Sequence, residues 1–83
     1  MVYHIVCKTL TNAQRMSRVL SKNGIKSTVK RLPSNLREKN GCGYAIRVEE
    51  NYLRTSLDLL RETNLSPLRV YGDLENGGVE IDI

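Results

Sequence analysis

Two stretches with helical apolar spacing, each set between short runs of β-forming residues, dictate the layout of this chain. In the first, Ala13, Met16 and Leu20 recur at helical intervals with Val19 beside them. In the second, Leu53, Leu57 and Leu60 stand at i, i+4 and i+7. Ahead of the first helix, Val-Tyr-His-Ile-Val-Cys over residues 2–7 reads as a strand, with Tyr3, Ile5 and Cys7 on one face and His4 and Val6 on the other. Thr11 and Gln14 make a capping-box pattern at the helix start. Asn23-Gly24 is the stop, because glycine tolerates a left-handed terminal residue.

Residues 25–30 alternate as a second strand, which Pro33 terminates because proline cannot donate to a ladder. Residues 33–42 are polar and turn-rich, a long loop with room for a short helical turn. A third strand over residues 43–48 sets Tyr44, Ile46 and Val48 on one face. Glu49 and Glu50 then suit the positive end of the second helix, which ends near Asn64. Residues 68–71 form a fourth strand, Asn76-Gly77-Gly78 signals a hairpin, and residues 79–83 supply a short fifth strand. This order predicts an α+β, ferredoxin-like βαββαβ fold: one mainly antiparallel sheet, two helices on one face and an extra C-terminal hairpin strand. The 83 residues make one domain, 1–83, with a thin core. With no Trp or Phe in the chain, Leu, Ile, Val and four Tyr must fill it.

Charge is polarised along the chain. Residues 1–47 hold ten Lys/Arg against Glu38 alone, and residues 48–83 hold three against eight acidic residues, so a net +9 precedes a net −5. An anionic ligand or acidic partner is favoured near the first half. On the first helix Arg15, Arg18 and Lys22 fall at i, i+3 and i+7, a solvated basic stripe suited to partner docking. No apolar run reaches the roughly 18–20 residues that span a bilayer. The first residues carry no basic region ahead of an apolar stretch, so a cytoplasmic setting with reduced thiols is expected.

Cys7 closes the first apolar alternation and reads as a packing residue; Cys42 sits between two glycines. With the first and third strands taken as parallel neighbours, the two cysteines fall at opposite ends of the sheet, about 15–17 Å apart. A disulfide needs Cα atoms within about 7 Å, so none is expected. That placement would set Tyr3, His4, Tyr71, Gly72 and the carboxyl ends of both helices near Cys42. Activation of its thiol would then fall to Arg37, Lys39 and Arg47, or to backbone N–H groups, with His4 more remote.

Gly41-Cys42-Gly43 is the constellation with chemical character. Flanking glycines leave a sulfur unshielded, and a carrier thiol must be reached in turn by a donor and an acceptor. The string Leu32-Pro33, a polar loop, then Cys42-Gly43-Tyr44-Ala45-Ile46-Arg47-Val48 is similar to the signature of the selenium/sulfur carrier protein-like family. The likeness spans nearly the whole chain, with Gly41 departing from the small polar residue expected there. It implies that Cys42 carries sulfur or selenium as a persulfide or selenyl-sulfide, with no other cofactor, between donor and acceptor proteins. Two separated cysteines and one histidine make no metal set. No catalytic triad, carboxylate pair or phosphate loop is present, so a carrier is favoured over a self-contained enzyme. The competing reading is a ferredoxin-like binding module for nucleic acid or a regulatory ligand. A homodimer through the sheet edge is left open.

Overall fold

The strand at the amino terminus sits at the centre of the sheet, and every other element is placed relative to it. The computed structural model describes residues 2–40, 43–65, 67–72 and 78–81, and of residues 39 and 40 the backbone alone. Gly41, Cys42, Asn76, Gly77, Asp82 and Ile83 lie outside the described residues. In chain order the elements are β1 (Val2–Cys7), α1 (Leu10–Lys22), β2 (Thr28–Arg31), α2 (Ser34–Asn40), β3 (Tyr44–Glu49), α3 (Glu50–Glu62), β4 (Arg69–Gly72) and β5 (Val79–Ile81). The strands are ordered β2-β3-β1-β4-β5 and each neighbouring pair is antiparallel. This is the ferredoxin-like arrangement with a C-terminal strand added at one edge.

One expectation is overturned. β1 and β3 are neighbours, but they run antiparallel, paired from Val2↔Glu49 to Cys7↔Tyr44. The reason is topological: α1 returns the chain so that β2 runs parallel to β1, and β3 is threaded between them in the opposite sense. Cys7 and the start of β3 therefore share one end of the sheet. At that end lie Arg69 at the start of β4, Arg31 at the end of β2, the amino end of α1 and the carboxyl end of α3. Tyr3, His4, Tyr71 and Gly72 extend toward the other end.

Side-chain alternation divides the sheet into two faces. On the first, Ile5, Cys7, Ile46, Val48 and Val70 pack with Ala13, Met16 and Leu20 of α1 and Leu57 and Leu60 of α3. On the second, Val6, Ala45 and Tyr71 pack with Leu32 and Leu36. This smaller cluster is why residues 34–40 fold as α2 instead of remaining a loop. Leu36 needs a helical turn to reach the sheet, so a third helix covers part of the face that the two long helices leave open. Most of the first cluster is completely withdrawn from water and the second is nearly so, as expected for close-packed interiors.

The helix ends are set by backbone geometry more than by side-chain boxes. The cap of α1 is Thr9, whose hydroxyl accepts from the Asn12 N–H at 3.0 Å; Thr11, the expected cap, lies inside the helix. Placing the cap two residues earlier lets Ala13 and Met16 face the core. Both long helices end in the same reciprocal pair of bonds. After α1, Ile25 N–H reaches Leu20 C=O at 2.9 Å and Gly24 N–H reaches Ser21 C=O at 3.0 Å. After α3, Leu65 N–H reaches Leu60 C=O at 2.8 Å and Asn64 N–H reaches Arg61 C=O at 3.1 Å. Ile25 is thus the buried apolar residue that follows this cap, and β2 starts later than its alternation suggests, at Thr28.

The residues in the left-handed position are Gly24, with φ of 76°, and Asn64, with φ of 61°. A Cβ on Gly24 would meet nothing within 4 Å, so a substitution there tests the backbone alone. Gly24→Ala is expected to lower stability by about 1 kcal/mol in urea unfolding, from the cost of a left-handed Ala. Asn64→Gly is expected to leave stability unchanged or raise it. Equal midpoints for Gly24→Ala and wild type would contradict this account of the α1 end.

Candidate functional site

The start of β3 is pinned from two sides. Leu32 N–H donates to the Gly43 carbonyl at 2.8 Å, which ties the residue before β3 to the end of β2. From α2, the shaft of Arg37 lies across Gly43: a Cβ placed there would be 3.3 Å from Arg37 Cδ. Only glycine allows that approach without a shift. Arg37 Nη2 donates to Ser34 Oγ at 2.9 Å, which braces the guanidinium within α2. Among the candidate basic residues whose side chains are described, Arg37 is the one packed against Gly43. The side chain of Lys39, with Gly41 and Cys42, lies outside the described residues.

Cys7, at the same end of the sheet, is fully buried and is not half of a disulfide. Its Sγ contacts Ile5 C=O at 3.4 Å and Met16 Sδ at 3.2 Å. The expected separation of the two cysteines along the sheet loses its basis, since Cys7 lies at the end where β3 begins. The helix geometry near the start of β3 is corrected with the strand sense: α1 presents its amino end there and α3 its carboxyl end. Opposite partial charges thus meet at that end of the fold, in place of two negative ones.

The family described as "putative Se/S carrier protein-like" matches residues 2–72, which include every strand and helix named above except β5. The chain belongs to this family. No curated protein and no solved structure matches it.

In this carrier-like chain the remaining candidate residues form two further groups. Arg15, Arg18 and Lys22 are exposed and line a hollow of about 290 Å³ with Val19, Thr63 and Leu65, where α1 meets the turn after α3. The stripe thus has an apolar floor as well as positive rims. Arg47 is not at the start of β3. It stands opposite His4 on β1 and Thr28 on β2, on the second face of the sheet. Lys30, which sequence reasoning did not single out, lies on that same face, opposite Ala45. The antiparallel register is the signal that could have found it: it brings 28, 47 and 4 into one row. Among the described residues no group of three His, Cys, Asp or Glu could hold a metal ion. No helix among them is long and apolar enough to cross a membrane.

His4 is half-buried, and its Nδ1 is withdrawn from solvent without a hydrogen-bond partner. Burial, and then the charges of Arg47 and Lys30, hold its imidazole below the ordinary value of 6.5. Above that value the imidazole is neutral in both the folded and the unfolded chain, and this group costs nothing. As pH falls through 6.5 toward the lowered folded value, the unfolded chain takes up a proton that the folded chain refuses, so stability drops. Urea midpoints at about pH 7.5 and about pH 5.5 are expected to differ more for wild type than for His4→Gln, which lacks this group. The same difference in both proteins would contradict the assignment.

Proposed function

We propose that this protein carries a sulfur or selenium atom on Cys42, as a persulfide or selenyl-sulfide, between a donor and an acceptor protein. The observation that carries the reading is membership in the Se/S carrier protein-like family over residues 2–72. The chain has two cysteines, and Cys7 is sealed in the core against Met16. A carrier thiol in this chain therefore falls to Cys42.

The residues that flank Cys42 in sequence favour the chemistry. Gly43 leaves the position next to Cys42 without a side chain, and Arg37, packed on Gly43, supplies a nearby positive charge that favours the thiolate. Lys39 and Gly41 flank the cysteine in sequence, the first as a further cation and the second as a further gap in shielding. Arg47, on the row with His4, adds only longer-range positive potential. In the transfer step, the Cys42 thiolate attacks the outer sulfur of a donor persulfide and the donor thiolate leaves. The bond that forms matches the one that breaks, and no oxidant is consumed. The reducing cytoplasm suits such a thiol. Arg15, Arg18 and Lys22, around their apolar hollow, would dock acidic partners.

The base-stacking alternative finds less support. Tyr3 and Tyr44 pack against the first core and Tyr71 is buried in the second, which leaves Tyr52 as the exposed ring. No aromatic platform stands on the sheet between the basic residues.

The test is intact-mass spectrometry of the reduced protein after incubation with a cysteine desulfurase and cysteine or selenocysteine. One added sulfur or selenium atom, lost in Cys42→Ser, is the expected outcome. An unmodified wild type beside an active donor, or an adduct that persists in Cys42→Ser, would overturn the proposal.

A further inference from the structure

Among the described residues, only part of the second face of the sheet is covered. α2 seals the end that holds Val6, Ala45 and Tyr71, through Leu36. Beyond that cover the antiparallel registers set Thr28, Arg47, His4 and Tyr71 in one row across β2, β3, β1 and β4. Directly opposed residues in such a row have Cβ atoms about 4.5–5.5 Å apart. In the adjacent row Lys30 stands opposite Ala45, which is itself buried opposite Val6, so Lys30 borders the covered end of this face. The Lys30 charge is felt at the His4 imidazole. Arg47 and His4 are half-buried, whereas Thr28 and Lys30 are exposed.

Among the described residues these positive groups lack a paired carboxylate. Among the described residues neither Arg47 nor Lys30 makes an ion pair. Among the described residues of the strands, the carboxylates on this face are Glu49, exposed two residues beyond Arg47 at the end of β3, and Glu80 on β5. Glu80 stands opposite Tyr71 and is engaged by Arg69 at 3.9 Å. A half-buried guanidinium beside a second cation and an imidazole without a partner for Nδ1 is costly unless something anionic completes it.

We propose that this open part of the second face binds a small tetrahedral dianion of the sulfate and phosphate class between Arg47, Lys30 and His4. Two full cations match two negative charges. The planar fork of Arg47 on β3 takes two oxygens, while the Lys30 ammonium and the Thr28 hydroxyl on β2 and an imidazole N–H of His4 on β1 offer further donors. A carboxylate has too few oxygens to use them all; a tetrahedral oxyanion has enough. The inference does not rest on the carrier reading, since none of these residues is a cysteine or lies beside one.

His4 is the only histidine in the chain, so its imidazole resonances report on the site without overlap. The experiment is a pH titration of His4 by NMR in sulfate, in chloride at equal ionic strength, and with a short single-stranded oligonucleotide. Sulfate stays a dianion across the range, and the chloride arm removes simple screening of Arg47 and Lys30. A bound dianion favours the imidazolium, so the His4 pKa is expected to rise saturably in sulfate and much less in chloride. In Arg47→Gln and in the exposed-site variant Lys30→Gln, sulfate affinity should weaken by about tenfold or more, the effect of losing a charge-assisted contact. Equal responses to sulfate and chloride, or an undiminished sulfate response in both variants, would overturn the site. A response to the oligonucleotide alone would overturn it too, in favour of a nucleic-acid backbone.

Discussion

The six-residue antiparallel pairing of β1 with β3 is the contact on which the rest of this molecule depends. From Val2↔Glu49 to Cys7↔Tyr44 it runs the full length of both strands, and β2, β4 and β5 are added outside it. Because side chains alternate strictly along a strand, this one register decides which residues meet on each face. Ile5 meets Ile46 toward the helices, and His4 meets Arg47 on the opposite side. A slip by one residue would carry Ile5, Ile46 and Val48 to the wrong face and empty the main core.

The same register determines what surrounds each candidate group. It sends Cys7 into the core at the end of the sheet where β3 begins. It also separates the cations of the first half of the chain by task. Arg37 is held against Gly43, Arg47 and Lys30 gather around His4, and Arg15, Arg18 and Lys22 surround a hollow on the helix side. One basic half-chain in sequence thus becomes three distinct positive surfaces. The outer edges are blunted differently: β2 carries Lys30 and Arg31, while β5 is three residues long and carries Glu80.

Helix and strand identities were legible where periodicity was strong. Met16 and Leu20, and Leu57 and Leu60, are buried as their spacing requires, and Tyr3, Ile5 and Cys7 share a face. Segments whose state depends on distant partners were less legible. Residues 34–40 are polar enough to read as loop, and they become α2 because Leu36 finds Val6 and Tyr71 across the sheet. Ile25 looked like strand and instead completes a helix cap, since its N–H is taken by Leu20. Thr9 caps the helix in place of Thr11 because a capping-box pattern specifies a spacing, not the turn at which the core contacts begin.

Taken alone, the amino-acid sequence determined the α+β class, the order of the elements, the burial of Cys7 and the resemblance centred on Cys42 and Gly43. Those properties reside in local spacing and residue type, which no partner is needed to express. Only the tertiary structure decided the relative sense of β1 and β3, the packing of Arg37 on Gly43 and the assembly of His4, Arg47 and Lys30. All but the packing of Arg37 on Gly43 join residues well separated along the chain. Pairing direction follows from how α1 and the α2 connection return the chain, and no local pattern encodes that return.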